Sequence, residues 1–119
     1  MCDKNTAIQI MNEIVERGKA TQWGDSFVDA YLFGSYARGD YTDESDIDIF
    51  LTFKKNDEEI KTINKAISKI NSDVSLEHNI TVCAFAGSYD RFCKYKNDLP
   101  LYYNILNEGI RYGNANGAS

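Results

Sequence analysis

The chain has 119 residues, a formal net charge of −5 and 43% hydrophobic residues. That length fits one domain able to bury its own core, and the composition is that of a globular chain, not a disordered one. The acidic balance argues against general binding to a nucleic-acid backbone, where Lys and Arg must displace counterions; it leaves room for a nucleotide at one local cationic or metal site.

In chain order, residues from about Asn5 to Arg17 read as a helix, because Ile8, Met11, Ile14 and Val15 recur at spacings of three and four and Gly18 suits a helix end. Phe27 to Phe33 is a short apolar run with an aromatic, which predicts a strand ended by Gly34. Ser35 to Arg38 read as a short helical turn and Gly39 to Ser45 as a polar loop, with Gly39 supplying a left-handed turn residue. Asp46 to Phe53 begins with strict alternation, which predicts a second strand. Asn56 and Asp57 can cap the next helix, whose buried face is marked by Ile60, Ile63, Ile67 and Ile70. Asn79 to Phe85 reads as a third strand, and Tyr89 to Lys96 as a helix. Pro100 can open a further helix that closes at Gly109, and Ile110 to Tyr112 can add a short last strand. The order predicts an α/β (α+β) domain over residues 1–113, a small mixed sheet with helices packed against it, followed by a loose tail over 114–119.

Cys2, Cys83 and Cys93 are an odd count without metal-like spacing, and Cys83, in an apolar run, reads as a buried thiol. The N-terminus carries Asp3, Lys4 and Asn5 and no apolar signal core, and no run approaches the roughly 20 apolar residues of a membrane helix. A reduced, cytoplasmic setting without membrane contact is therefore expected.

The chemistry concentrates between Gly34-Ser35 and Asp46-Ile47-Asp48, with ten residues between Ser35 and Asp46. On a strand Asp46 and Asp48 share a face, with Cα atoms roughly 6.5 Å apart, and Ile47 and Ile49 take the other face. Two carboxylates so close repel each other, and a hard cation removes the repulsion; Mg²⁺ is usually held by one or two carboxylates plus substrate phosphates. Taken alone, Asp-x-Asp reads equally as two solvent-facing strand residues. Gly34 lets a phosphate approach the backbone, and Ser35 offers a hydroxyl and an amide at the start of a turn, where an anion is favoured; an ordinary strand-to-helix turn looks the same. Arg38 can contact a phosphate or tie the loop to Asp40 or Asp43. His78, the single histidine, reads as a surface pair or turn contact beside Glu77, and Arg91, Lys94 and Lys96 as a solvated helix face. Tyr89, Tyr95, Tyr102 and Tyr103 suit helix faces packed on the sheet, or a partner surface.

With these residues in view, the segment resembles the polymerase-β-type nucleotidyltransferase superfamily, and most closely its minimal nucleotidyltransferase (MNT) group. The signature is Gly-Ser, ten residues, then Asp-x-Asp; Gly34, Ser35, Ala37, Arg38, Gly39, Ser45, Asp46 and Asp48 match it. The closing Ile105 to Ile110 also resembles the end of small members. The resemblance implies that Asp46 and Asp48 hold Mg²⁺ (or Mn²⁺) as catalytic groups. Gly34 and Ser35 would hold the triphosphate, with Arg38 beside it. The implied reaction moves a nucleoside monophosphate, AMP from ATP, to an acceptor hydroxyl. It also implies a helical HEPN-type partner protein, with this chain as the MNT antitoxin of a toxin–antitoxin pair, since 119 residues leave no room for an acceptor-binding domain. For the same reason an antibiotic-modifying enzyme is disfavoured.

One departure stands out. Active members carry a third carboxylate on the next strand, and the sequence alignment places Thr81 there, a poor metal ligand and a poor base. Asn79 shares its face without a charge, and Glu77 would lie about 13 Å along the strand. The competing expectation is thus a nucleotide-binding module that acts through protein–protein binding with its catalysis weakened.

Overall fold

The computed structural model describes residues 3–113; the tail expected over 114–119 and Cys2 lie outside them. Helix α1 (Lys4–Lys19) is followed by a single 3₁₀ turn (Gly24–Ser26) and strand β1 (Phe27–Phe33). A four-residue helix α2 (Ser35–Arg38), strand β2 (Ile47–Phe53) and the long helix α3 (Asp57–His78) come next. Strand β3 (Val82–Ser88), helices α4 (Tyr89–Tyr95) and α5 (Pro100–Glu108), and the two-residue strand β4 (Ile110–Arg111) complete the order. The strands form one sheet in the order β3-β2-β1-β4. β2 runs antiparallel to β1 and parallel to β3, so α3 is the crossover helix between β2 and β3; β4 pairs antiparallel with β1.

The sheet is covered unequally. Ala30 and Leu32 of β1, Ile47, Ile49, Leu51 and Phe53 of β2, and Val82, Ala84 and Ala86 of β3 face α1 and α3 in the main core. The opposite face carries a smaller cluster in which Phe50 and Tyr31 meet Phe92 of α4 and Ile105 of α5. β2 is therefore buried on both sides along most of its length, which the alternation at its start does not reveal.

Local chemistry explains the boundaries. Asp3 accepts a hydrogen bond from the Thr6 amide and starts α1; Asn56 accepts from the Glu59 amide and starts α3. Two expectations are corrected. Gly18 does not close α1 but lies inside it, against Leu51 and Ile67 of the core. The third strand does not begin at Asn79: α3 runs through Glu77 to His78, and Asn79, at φ 54°, caps it in the left-handed conformation that asparagine tolerates. Glu77, His78 and Asn79 thus leave the strand and its face. Glu77 pairs with Arg17 of α1 at 2.8 Å, and the surface contact expected of His78 is made with Glu13, Nε2 to Oε1 3.3 Å.

Two asparagines of α3 tie the helix to the outer strand. Asn64 donates to the Ala86 carbonyl and accepts from its amide, at 3.0 and 2.8 Å, and Asn71 does the same for Ala84, at 2.8 and 3.0 Å. Each side-chain amide stands where a neighbouring strand would supply a peptide group. Asn71→Ala leaves that backbone amide and carbonyl without their side-chain partner, at a cost of about 2 kcal/mol. Urea denaturation is expected to show the midpoint falling with an unchanged slope; an unchanged midpoint would mean the two bonds add nothing.

Candidate functional site

β1 and β2 are adjacent antiparallel strands, and their register pairs Phe33 with Asp48 at the end where β1 turns into α2. Gly34 occupies φ 77°, ψ −155°, a region essentially reserved for glycine. A Cβ on Gly34 would stand 3.3 Å from the Asp48 carboxyl carbon and would collide with its Oδ2. The glycine therefore does two things: it permits the turn, and it leaves the space that the Asp48 carboxylate fills. Ser35, half-buried, opens α2, and Gly39 at φ 95° closes it as expected.

The loop ahead of β2 is built by its own side chains. The Thr42 amide donates to Ser45 Oγ at 2.9 Å, the Ser45 amide to the Thr42 carbonyl at 3.1 Å, and the Glu44 amide to Thr42 Oγ1 at 3.2 Å. Tyr41 stacks on the buried Tyr36, with ring centroids 4.4 Å apart. This knot delivers Asp46 to the start of β2, where it is exposed while Asp48 is half-buried. Burial, and then the charge of Asp46, hold Asp48 above the usual carboxylate range, with Arg38 pulling the other way.

Arg38 pairs with Asp40, Nε to Oδ2 3.3 Å, as one of the two expectations for it had it, and also with Glu108 at the end of α5, Nη1 to Oε1 3.4 Å. Both contacts are exposed, so they are weak and exchangeable.

The β3 register brings a correction. Asp48 pairs with Cys83, while Thr81 lies ahead of the strand and uses its carbonyl to accept from the Ile47 amide at 3.0 Å. The residue facing the two carboxylates is therefore Cys83, not Thr81. Nor is Cys83 a buried core thiol: it is exposed on the Asp48 face, with Sγ 3.9 Å from Asp46 Oδ2. Partial burial and then the charges of Asp46 and Asp48 push its thiol up.

Two other features lie apart from this site. Glu13, Glu77 and His78 bring three donor atoms within 4.8 Å of one another, a tighter group than Asp46, Asp48 and Cys83 form, but Arg17 bridges Glu13 and Glu77. A hollow of about 440 Å³ runs between Thr6, Ile10, Tyr36 and Asp43 on one side and His78, Asn79 and Ile80 on the other. Ile10 and Tyr36 belong to the main core and Ile80 packs against it, so the hollow lies on the α1/α3 side of the sheet, opposite the carboxylates.

The donor set suits a divalent cation: two carboxylates on one strand face, one raising the proton affinity of the other, with the Asp48 carboxylate seated against Gly34 at the turn into α2. Residues 12–112 match the sequence profile described as the nucleotidyltransferase domain. The chain belongs to the nucleotidyltransferase family. Two curated relatives from Methanocaldococcus jannaschii are described as candidate protein adenylyltransferases. One is 37% identical over 66% of this nucleotidyltransferase and 70% of its own length; the other is 38% identical over 63% and 73%. A crystal structure of a candidate nucleotidyltransferase from Sulfolobus solfataricus superposes with a TM-score of 0.57, covering 91% of this chain and 80% of that one, at 24% identity. The mixed α/β fold and the resemblance to the superfamily both stand. Among the described residues, no helix is long and apolar enough to cross a membrane.

Proposed function

We propose that this nucleotidyltransferase holds Mg²⁺ or Mn²⁺ with Asp46 and Asp48, binds the triphosphate of ATP at Gly34 and Ser35, and transfers AMP to a hydroxyl on a partner protein. The observation that carries this reading is the Asp48 carboxylate standing against Gly34, which joins the acidic and the phosphate-binding halves of the site. In the reaction, the acceptor oxygen bonds to the α-phosphorus and the bond to the β-phosphate bridge breaks, releasing pyrophosphate. When bound, the cation supplies neutralisation of the charge that develops on the leaving group. The chain's own part is positioning. Gly34 permits the turn and seats the Asp48 carboxylate beside it, Ser35 offers a hydroxyl to the phosphates, and Arg38 reaches them once it leaves Asp40 and Glu108. The names of the curated relatives support a protein acceptor.

A helical HEPN-type partner, with this chain as its antitoxin, follows from the resemblance to the MNT group. Leu101, Tyr103 and Leu106 on α5 are exposed, on the helix whose Glu108 pairs with Arg38, and offer such a partner an apolar surface. A second reading is favoured by Cys83: β3 carries no carboxylate, so nothing on that strand takes the acceptor proton, and the chain would act as a nucleotide-binding module.

Incubation of the protein with ATP labelled at the α-phosphate, Mg²⁺ and the product of the adjacent gene separates these readings. Covalent label on the neighbour, lost with Asp46→Asn, is the expected result. Complex formation and nucleotide binding without transfer would support the module instead. The ligands are also expected to raise the melting temperature, because they bind only the folded state; an unmoved melting curve at millimolar ATP and Mg²⁺ would remove the pocket.

A further inference from the structure

The face of the sheet that carries Asp48 is paved with aromatic rings, and their burial falls toward the carboxylates. Tyr31, Phe50 and Phe92 are buried where α4 and α5 cover the face. Phe33 and Phe85, which flank Asp48, are only half-buried. We propose that Phe33 and Phe85 form the floor of a nucleobase subsite, on which the base of the bound nucleotide stacks, and that the site thereby selects purine over pyrimidine triphosphates. This rests on the reading of Asp46, Asp48, Gly34 and Ser35 above and adds to it where the base goes.

Position supports it first. Phe33 stands directly across from Asp48 in the β1–β2 register, a pairing that puts Cα atoms about 5 Å apart. Phe85 pairs with Phe50, two residues on from Asp48 and on its face, so it lies diagonal to Asp48 on the β3 side. The two rings meet edge to face, centroids 6.0 Å apart at 86°. Displacement at the α-phosphorus is in line. With pyrophosphate leaving toward Gly34 and Ser35 beside β1, the acceptor arrives from the β3 side, and the ribose leaves across that line, along β2. Before β2 lies the polar loop, whose one aromatic, Tyr41, is already stacked on Tyr36 against the main core. In the other direction lie Phe33 and Phe85.

Ring chemistry supports it second. Phe85 rests on the buried Phe50, centroids 5.0 Å apart, so its ring is held before any ligand arrives. An aromatic ring takes any base by its π-face, and phenylalanine carries no donor or acceptor to read the base edge. Discrimination then follows stacked area, which is larger for a two-ring purine than for a pyrimidine.

The test uses ligands that share the triphosphate and differ in the base: the Mg²⁺ complexes of ATP, CTP and inorganic tripolyphosphate, titrated calorimetrically into the full chain. In Phe85→Leu, and separately in Phe33→Leu, ATP affinity should fall about tenfold, the scale of one base stacked on one ring, while tripolyphosphate affinity stays at the wild-type level. The preference for ATP over CTP should shrink with it. Phe85→Trp keeps an aromatic face and should keep ATP affinity. Its new indole fluorescence should be quenched by ATP and not by tripolyphosphate, with wild type, whose single Trp23 packs against the main core, as the blank. Should a leucine variant fail to fold, the tryptophan variant decides, and an indole that ATP leaves unquenched counts against the floor. Equal losses of ATP and tripolyphosphate in a variant that still melts cooperatively, unchanged ATP affinity in both leucine variants, or ATP and CTP bound alike by wild type would overturn the aromatic floor and leave the carboxylate site standing. Absence of any triphosphate binding sensitive to Asp46→Asn would overturn both.

Discussion

Asp48→Asn is expected to lower label transfer by about a thousandfold, since about 4 kcal/mol of lost charge stabilisation in the transition state is three powers of ten in rate. The same substitution should not weaken the metal-free fold. Burial and the charge of Asp46 raise the proton affinity of Asp48 in the folded chain above its unfolded value. The stability it contributes is therefore present below its unfolded pKa and is lost as pH rises through the folded one. Above its folded pKa the wild-type protein carries the penalised, ionised form; asparagine does not. Without divalent cations, Asp48→Asn should melt at or above wild type at neutral pH, and the difference should close in acid. Cation affinity should rise with pH through the same range, because proton and metal compete for one carboxylate. A variant that loses stability at neutral pH and keeps its transfer activity would show Asp48 to be an ordinary structural residue.

Gly34→Ala carries the second large effect. Alanine must adopt φ 77°, ψ −155°, at a cost of about 2 kcal/mol, or about 10 °C in melting temperature for a domain of this size. Its methyl group would also displace the Asp48 carboxylate from the space it fills. Stability and cation binding should therefore fall together, and calorimetry in both backgrounds would separate the two causes. In Asp48→Ala the collision is absent and only the backbone strain remains, so Gly34→Ala should cost less there. Equal losses in both backgrounds would mean that the glycine and the carboxylate are not coupled.

Much of this was legible wherever a local signal was strong. Gly34 ends β1, and Pro100 and Gly109 bracket α5, so those boundaries fall where the sequence puts them. The start of β3 was not legible, because Glu77, Asn79 and Thr81 keep a strand's alternation while Val74 and Ser75 continue the helical face of α3. That three-residue error in the start of the strand hid Cys83, which has the same parity as Thr81 and, by composition, passes for a core residue. The Arg38–Glu108 pair joins residues seventy positions apart, and no periodicity announces such a contact. The asparagines at 64 and 71 sit on α3 at a spacing of seven, which reads as polar surface until the neighbouring strand is placed against it.

Those two asparagines have a consequence for how this protein meets others. The free margin of a sheet is ordinarily a template on which a second polypeptide can extend the ladder, natively or as fibrillar growth. Along β3, the peptide groups of Ala84 and Ala86 are already taken by amides from the chain's own helix. At the other margin, among the described residues, the two-residue strand Ile110–Arg111 covers only Tyr31 and Leu32 of β1. Recruitment of a partner by backbone zippering is thus closed along the β3 flank, where association falls to side-chain surfaces.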